Sequence, residues 1–283
     1  MSTESVPAVP VVLDVDTGID DALAILYASH EPRLDLRAVS AVVGNVPVEQ
    51  AAANSLAVLA AEARVDVPVV RGAGRTLAGS GARVGPTNHG TDGLGGVPVT
   101  PAQRPAEASA PVEVLASAGP ASLVACAPLT NVAAMLGHPH VERLVMVGGE
   151  LVVEGEPEFN VGHDPRATAA ALAREVPTTI YAIDVFETVA VPAPLVEALR
   201  GARAPSACLA GELLAVRRAH LLGDAGAVVL LAHPELFTVE PVRMGMVGDR
   251  LVPSADGREV DVVVAADGPA VVEAFVAAVR SDP

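Results

Sequence analysis

Short, continuously apolar runs alternate with longer helical patterns along most of the chain, and this alternation constrains the fold more than any other feature. An apolar run without polar alternation is typical of a strand that is buried on both faces. Such strands, separated by helices, are joined by right-handed crossovers into a mostly parallel sheet. We therefore predict an α/β fold in a single domain, residues 1–283: an open, mostly parallel, Rossmann-like sheet flanked by helices, with a small C-terminal antiparallel addition.

The predicted elements follow one another at the spacing that such a fold requires. Strands are predicted at residues 9–15, 36–43, 67–71, 122–127, 144–147 and 178–183. Helices are predicted at residues 20–30, 48–64, 112–118, 131–136, 164–176, 206–222, 225–232 and 269–280. The later segments "VRMGMVGDRLVPS" and "EVDVVVAAD" have the pattern of a hairpin and an edge strand, and the glycine-rich residues 79–96 are predicted to form a loop.

The composition excludes several classes of function. The formal net charge of −16 disfavours nucleic acid as a partner, because binding to a phosphate backbone needs clustered cations. The chain has no lysine, so neither a phosphate-loop lysine nor a Schiff base is available. No apolar run is long enough to span a membrane and the N-terminus lacks a signal-like pattern, so we expect a cytoplasmic protein. Cys126 and Cys208 are expected to be buried thiols.

The segment "VVLDVDTGIDDALAIL", residues 11–26, places four carboxylates where the first predicted strand meets the first predicted helix. Asp14 and Asp16 are two positions apart on a strand and therefore point to the same face. Asp20 and Asp21 begin a helix, where the helix dipole favours negative charge. Capping explains one or two of these residues but not four, and carboxylates this close raise one another's pKa unless a cation neutralises them. Oxygen ligands select a hard cation, Ca²⁺ or Mg²⁺.

Two other metal motifs fit this segment poorly. An EF-hand would place Ile25, rather than a glutamate, at the twelfth position of its loop. Phosphatases of the haloacid dehalogenase type also begin with Asp-x-Asp, but they use Thr or Val where Gly18 stands and usually a later lysine. Polar or glycine-bearing clusters follow the other predicted strands as well, and ligands of open α/β sheets bind at the carboxyl ends of the strands. These clusters are "GNV", "RGAG", "PLTN", "GGE" and "DVFET".

The segment "DVDTGIDDALAIL" resembles the N-terminal signature of the inosine–uridine-type nucleoside hydrolases. Further segments resemble motifs of that family in the same order: "VVGNVPVEQAAANS" (42–55), "NHGTDGLGG" (88–96), "APLTNVA" (127–133), "MVGGE" (146–150), "EFNVGHDPRAT" (158–168) and "LFTVEPVRM" (236–244). The resemblance covers most of the chain and implies the nucleoside hydrolase fold and Ca²⁺-dependent hydrolysis of the N-glycosidic bond of ribonucleosides. It also implies a small-molecule ribonucleoside as the partner, rather than nucleic acid or a membrane, and a homo-oligomer, either a dimer or a tetramer.

The resemblance also implies roles for individual residues. The implied Ca²⁺ ligands are three carboxylates and one main-chain carbonyl, those of Asp16, Asp21 and Asp224 and that of Thr130. Asp16 is also the expected catalytic base, which takes a proton from the attacking water. The expected substrate-binding residues are Asp20, Asn45, His89, Glu158 and Asn160. Without the resemblance, "PLTN" would make Thr130 a helix N-cap and "EFN" would be a polar loop before a helix.

The chain departs from the family pattern at the leaving-group end. Many members carry His-Asp where this chain has Gly223-Asp224, and that histidine helps to protonate the departing base. His220, one turn upstream if the helix continues, is a candidate replacement. An asparagine six positions before Glu158 is also missing, and Val152 stands there. We therefore expect a preference for nucleosides with good leaving groups, such as uracil-like bases, nicotinamide from its riboside, or p-nitrophenoxide.

Two other functions stay open at this point. A non-catalytic, metal-dependent ribose- or nucleoside-binding protein would also keep the sugar-binding residues. Retention of Asp16 favours catalysis, because a binding protein needs the metal but no base. A Mg²⁺-dependent phosphatase, the second alternative, would release phosphate from nucleotides.

Overall fold

A nine-stranded sheet forms the centre of the molecule, which we describe from a computed structural model over residues 7–84, 87–216 and 220–281. The first six strands are β1 (Val9–Val15), β2 (Leu34–Ala41), β3 (Val69–Arg71), β4 (Ala121–Ala125), β5 (Val141–Val147) and β6 (Thr178–Tyr181). The last three are β7 (Phe237–Val247), β8 (Arg250–Pro253) and β9 (Arg258–Ala266). Their order across the sheet is β3-β2-β1-β4-β5-β6-β9-β7-β8.

The strand order determines where a ligand site can form. From β1 the chain winds outward to β2 and β3, then returns to the other side of β1 and winds outward through β4, β5 and β6. The two directions diverge between β1 and β4, and the crevice at such a switch point is where open α/β sheets bind ligands. All pairings among β1–β6 and between β6 and β9 are parallel, whereas β7 pairs antiparallel with β8 and β9. The predicted α/β class and the antiparallel addition are therefore confirmed.

Eleven helices flank the sheet in the described parts of the chain. They are α1 (Ile19–His30), α2 (Val48–Ala61), α3 (Pro111–Ala118), α4 (Thr130–Met135), α5 (Phe159–His163), α6 (Pro165–Leu172), α7 (Ile183–Phe186), α8 (Ala193–Arg200), α9 (Pro205–Val216), α10 (Gly223–Ala232) and α11 (Gly268–Arg280). The sequence predicted eight of these and missed α5, α7 and α8. α5 and α7 are one turn or little more, which is too short to show a 3.6-residue period.

One predicted helix, residues 206–222, is wrong at its end. α9 ends at Val216, and residues 217–219 lie outside the described residues. His220 has a φ of 53°, a left-handed conformation that no α-helix contains. The helical spacing that suggested His220 as a neighbour of residue 223 therefore does not exist. The glycine-rich loop is confirmed for its described residues, 79–84 and 87–96, which contain neither helix nor strand.

The core lies on both faces of the sheet, and β1 shows how the strands divide it. Val11 and Leu13 pack with α1, α2 and α9–α11, whereas Val12 faces the layer of α3, α4 and α6. Cys126 is buried as expected, but Cys208 is partly exposed, and both are free thiols. Across the described segments, we find no helix with the length and apolar character of a membrane span.

Replacement of Phe275 by alanine tests the contact between the first and last helices. Phe275 is fully buried on α11, and its ring stacks on that of Tyr27 in α1 with the centroids 6.1 Å apart. The variant should lose about 3–5 kcal/mol of unfolding free energy in a urea titration, because the ring leaves a cavity. Val247→Ala, at a side chain that is 59% exposed, is the control and should cost less than about 0.5 kcal/mol. Equal losses would contradict this packing.

Candidate active site

Asp21 shapes the turn that connects β1 to α1. Its carboxylate accepts hydrogen bonds from the main-chain N–H groups of Gly18 (2.8 Å) and Asp16 (3.2 Å). Gly18 is the N-cap of α1, and its N–H is one that the helix leaves unpaired, so Asp21 caps the start of α1 and its second bond ties that start to the residue after β1. The capping bond brings the carboxyl groups of Asp21 and Asp16 next to each other in the buried interior. Asp21 therefore both stabilises the turn and adds a second buried carboxyl group beside that of Asp16.

Asp16 is held by the loop that follows β2. Asn45 donates to both of its carboxylate oxygens, from its main-chain N–H (2.6 Å) and from its side-chain amide (3.1 Å). The loop can come this close because residue 44 is glycine: a Cβ atom there would lie 1.8 Å from Oδ2 of Asp16. Two donors from one residue fix the orientation of the carboxylate, as a group that must meet a reactant requires.

Asp14 is held from the other side of the switch point. The side-chain amide of Asn131, on α4, donates to Oδ1 of Asp14 (2.9 Å) and also lies 3.0 Å from the hydroxyl oxygen of Ser40. The amide oxygen of Asn131 accepts from the main chain of Ala73 (2.9 Å). Asn131 thus joins β1, β2 and the loop after β3. The motif "PLTN" does not by itself indicate a role for Asn131, because only the fold brings this residue beside Asp14.

Burial makes these carboxylates difficult to ionise. It raises the pKa of Asp14 to about 7, although hydrogen bonds from Asn131 and Ser40 oppose the shift. It also raises the pKa of Asp21 to about 6. The pKa of Asp16 lies well above its usual value because of burial first and the negative charge of Asp21 second. Each of these shifts is one that a nearby cation would reverse.

Asp224, another predicted metal ligand, lies near the same aspartates, whereas the side chain of Thr130 is bonded to Asp164. Asp224 is buried in the first turn of α10, and its charge, with those of Asp21 and Asp16, raises the pKa of the buried Cys126 thiol after the larger effect of burial. Thr130 is the first residue of α4, and its hydroxyl donates to Asp164 (2.7 Å). Its side chain therefore does not cap its own helix, so the capping interpretation is wrong.

The donor chemistry of this region fits a hard divalent cation. Its groups are carboxylate and carbonyl oxygens, and Oδ2 of Asp14 is buried without a hydrogen-bond partner. Oxygen ligands of this kind suit Ca²⁺ or Mg²⁺ rather than softer metals. Within the described ranges, no three acidic, histidine or cysteine side chains are already grouped as a complete metal site. A main-chain carbonyl and substrate oxygens would therefore be needed to complete a coordination sphere.

A cavity of about 800 Å³ lies next to this region; Asp224 is among its lining residues, whereas Asp16, Asp21 and Thr130 are buried and do not line it. All five residues predicted to bind substrate line it, together with Asp224: Asp20, Asn45, His89, Glu158 and Asn160. His89 reaches it from the glycine-rich loop, and its Nδ1 accepts the main-chain N–H of Ile19 (3.0 Å). That bond places the ring hydrogen of neutral His89 on Nε2. The structure therefore brings together residues that are up to 204 positions apart in the chain.

Glu158 and Asn160 belong to α5, which the sequence did not predict. Glu158 caps this helix by accepting from the main-chain N–H groups of Asn160 (2.8 Å) and Val161 (3.0 Å), and burial raises its pKa to about 7. The amide nitrogen of Asn160 donates to the carbonyls of Cys126 and Val147, at the ends of β4 and β5. The "EFN" segment is thus a fixed helix start at the switch point, and the expectation of a polar loop is wrong.

At position 223, where the family pattern has a histidine beside the departing base, this chain has a different arrangement; we call this part of the cavity its leaving-group end. A Cβ atom on Gly223 would lie 1.7 Å from Cε2 of Phe186, so the phenyl ring fills the space of a side chain at position 223. Phe186 lines the cavity from α7, whereas His220 is not among the described residues that line it. Val152 also lines the cavity, and its N–H donates to Asp184 (3.0 Å). No role was expected for Phe186, although it belongs to the cluster "DVFET".

Comparisons with known proteins concern the chain as a whole. The sequence profile of the inosine-uridine preferring nucleoside hydrolases matches residues 11–273. The non-specific ribonucleoside hydrolase RihC of Escherichia coli O1:K1 / APEC is 32% identical over 253 residues, which cover 82% of this chain and 82% of RihC. RihC of Klebsiella pneumoniae subsp. pneumoniae is 32% identical over 255 residues, again with 82% of each chain covered.

Solved structures show the same fold. The purine-preferring ribonucleoside hydrolase from Gardnerella vaginalis superposes with a TM-score of 0.87 at 24% identity, covering 96% of this chain and 98% of that chain. The plant nucleoside hydrolase PpNRh1 superposes with a TM-score of 0.89 at 23% identity, covering 97% of this chain and 100% of that chain. The nine-stranded sheet and its flanking helices are therefore those of nucleoside hydrolases.

The pKa shifts predict how stability depends on pH in the metal-free protein. An unfolded aspartate loses its proton near pH 3.8, whereas folded Asp21 and Asp14 lose theirs at about 6 and about 7. Between these values the folded state binds more protons, so stability falls as the pH rises. In the presence of a chelator, the Tm should fall by roughly 5 °C or more between about pH 5 and pH 8.

Asp14→Asn is the matched variant for this measurement. It keeps the acceptor for Asn131 but removes one ionisation, so its Tm should depend less steeply on pH than that of the unsubstituted protein. Differential scanning fluorimetry across the pH range measures the Tm of the variant and of the unsubstituted protein. A Tm that rises from pH 5 to pH 8 without metal would show that these carboxylates are not held as described.

Proposed function

The chain belongs to the inosine-uridine preferring nucleoside hydrolases, a family of hydrolases of N-glycosyl compounds, and we propose that it uses Ca²⁺ to hydrolyse ribonucleosides to ribose and free base. One observation carries the proposal. Every residue expected to bind the substrate lines a single cavity, and the expected base, Asp16, is oriented at the switch point by two hydrogen bonds from Asn45. The expected cytoplasmic location, and the homo-oligomer that the family resemblance implies, are part of the same proposal.

The ion would be held by the carboxylates of Asp16, Asp21 and Asp224 and by the main-chain carbonyl of Thr130. These oxygens satisfy the preference of Ca²⁺, and they leave positions for water and for sugar hydroxyls. When bound, the ion would lower the pKa of a water and orient the ribose. It would also offset the charge repulsion that raises the pKa of Asp16.

Asp16 acts as the general base on the attacking water. Asn45 holds the carboxylate in one orientation, and Asp16 would take the proton that the water loses as it attacks C1′ of the ribose. Positive charge builds on the ribose ring as the N-glycosidic bond breaks. The surrounding carboxylates stabilise that charge, because they are fixed in position before the reaction and need no reorganisation.

Ribose recognition falls to the polar residues of the cavity. Asp20 would accept from the 2′-hydroxyl, and Glu158 and Asn160 would bind the other hydroxyls. Glu158 is well suited because its carboxylate is fixed by the main chain of α5. His89 would present Nε2–H to the 5′-hydroxyl or the base, since its Nδ1 is committed to Ile19. A sugar lacking these hydroxyls would leave buried polar groups unpaired and would bind poorly.

The neutral variant Asp16→Asn tests the proposed role of Asp16 as base and metal ligand. It keeps the size of the side chain but cannot take a proton, so kcat for ribose release from uridine should fall about 10²–10⁴-fold. The control is Asp256→Asn, an exposed acid-to-amide change in the turn before β9, which should retain full activity. A different outcome would support a non-catalytic binding protein: the unsubstituted protein binds ribose in a calorimeter but releases no ribose from uridine.

A panel of substrates tests the leaving-group preference. General acid catalysis typically contributes about 10²–10⁴-fold in rate, and position 223 has no side chain to supply it. Kcat/KM should therefore be higher for uridine and p-nitrophenyl riboside than for inosine, each measured with added Ca²⁺ and again after chelation. Fastest turnover of inosine would contradict the preference. Full activity after chelation would contradict metal dependence, and a loss of activity that Ca²⁺ does not restore would contradict Ca²⁺ as the metal.

A further inference from the structure

We propose that the leaving-group end of this cavity selects ribonucleosides whose base carries a positive charge, that is, N-ribosides of cationic heteroaromatic rings. This inference rests on the proposed function, because it specifies the substrate class of the same site. Two independent observations carry it: an aromatic ring in the place of an acid, and an excess of carboxylates around the cavity.

The first observation is the position of the Phe186 ring. Its Cε2 and Cζ would lie 1.7 and 2.0 Å from a Cβ atom on residue 223, so no side chain fits there while the ring stays in place. An aromatic ring that lines the cavity therefore occupies the position where the family pattern has a proton donor. An aromatic face attracts a cation through its quadrupole, by about 0.5–2 kcal/mol depending on exposure.

The second observation is the charge of the cavity lining. Eight carboxylates line it among the described residues, with one arginine: Asp20, Glu150, Glu154, Glu156, Glu158, Asp184, Glu187 and Asp224, with Arg83. Three of the eight are left out of the count of carboxylates that could attract a cationic base. Asp224 is a proposed metal ligand, Glu150 pairs with Arg250 (2.6 Å), and burial raises the pKa of Glu158 to about 7. The other five still outnumber the arginine, so the cavity attracts cations.

Arg83, the arginine among the described lining residues, does not make the net charge of the cavity lining positive. The guanidinium of Arg83 stacks over the ring of Phe159, 4.8 Å from its centroid. Glu154, Glu156 and Glu187 are all exposed and line the cavity, where they would meet the base as it enters. A neutral base gains nothing from these three carboxylates, whereas a cationic base is attracted to them before and after it binds.

The chemistry of a cationic base also matches a site without an acid. When the C1′–N bond breaks, its electron pair moves to the ring nitrogen, and the base leaves as a neutral molecule without taking up a proton. The water oxygen bonds to C1′ and its proton passes to Asp16 and then to solvent, so the products are ribose, the neutral base and one proton. In the transition state the positive charge moves from the base to the ribose, where the buried carboxylates stabilise it.

The experiment compares two substrates that both leave without a proton, nicotinamide riboside, which is cationic, and p-nitrophenyl riboside, which is neutral. The cationic substrate should have the lower KM, and its kcat/KM should fall at least about threefold when salt is raised from about 0.02 to 0.5 M, because salt screens exposed charges. Kcat/KM of the neutral substrate should change less than about twofold. Equal salt dependence for the two substrates would overturn the proposal.

Neutralising the exposed carboxylates separates charge from other effects. The triple variant Glu154→Gln, Glu156→Gln, Glu187→Gln should lower kcat/KM for nicotinamide riboside about three- to tenfold and leave the neutral substrate within about twofold. Glu142→Gln, an exposed position on β5 outside the cavity lining, is the matched control and should change neither. An equal loss for both substrates in the triple variant would overturn the role of charge.

Phe186 is tested by two variants. Phe186→Leu keeps an apolar side chain without the aromatic face, so it should raise KM for nicotinamide riboside by about threefold relative to the neutral substrate. Phe186→Ala with Gly223→His provides space for an acid and should raise turnover of inosine relative to nicotinamide riboside. Absence of ribose release from every substrate would refute the proposed function, whereas hydrolysis of uridine and p-nitrophenyl riboside without a charge preference would refute this inference alone.

Discussion

Burial of several carboxylates at the junction of β1 and α1 is the constraint on which the rest of the site depends. Asp14, Asp16 and Asp21 are withdrawn from water, and burial raises the pKa of each of them. Such an arrangement is stable only if hydrogen bonds, together with protonation or a cation, compensate for the lost hydration. The neighbouring loops supply those hydrogen bonds, and the family resemblance supplies the identity of the cation that we propose.

The topology explains why the compensation is available at this point. β1 lies at the switch point, so loops from both halves of the sheet converge on its carboxyl end. Asn45 comes from the side of β2 and Asn131 from the side of β4, and each amide donates to one of the aspartates. A glycine beside each of these amides, Gly44 and Gly72, provides the space for the close approach.

The sequence predicted the features that depend on local pattern. The strand–helix alternation gave the sheet, and "DVDTGIDD" correctly placed the start of α1 and its acidic first turn. It could not predict α7, because a helix of four residues has no period to detect. The absence of a histidine at position 223 was visible, but the ring that fills the space comes from Phe186, 37 positions earlier, and only tertiary packing brings the two together.

Titration of the metal-free protein with Ca²⁺ in a calorimeter tests the central claim most directly. The measurement is repeated near pH 6.5 in buffers of different ionisation enthalpy, which reports the protons released on binding. If buried carboxylates with raised pKa values hold the ion, one Ca²⁺ should bind per chain, with release of protons that Asp21→Asn reduces. Absence of binding, or binding without any proton release, would contradict the claim that these aspartates form the metal site.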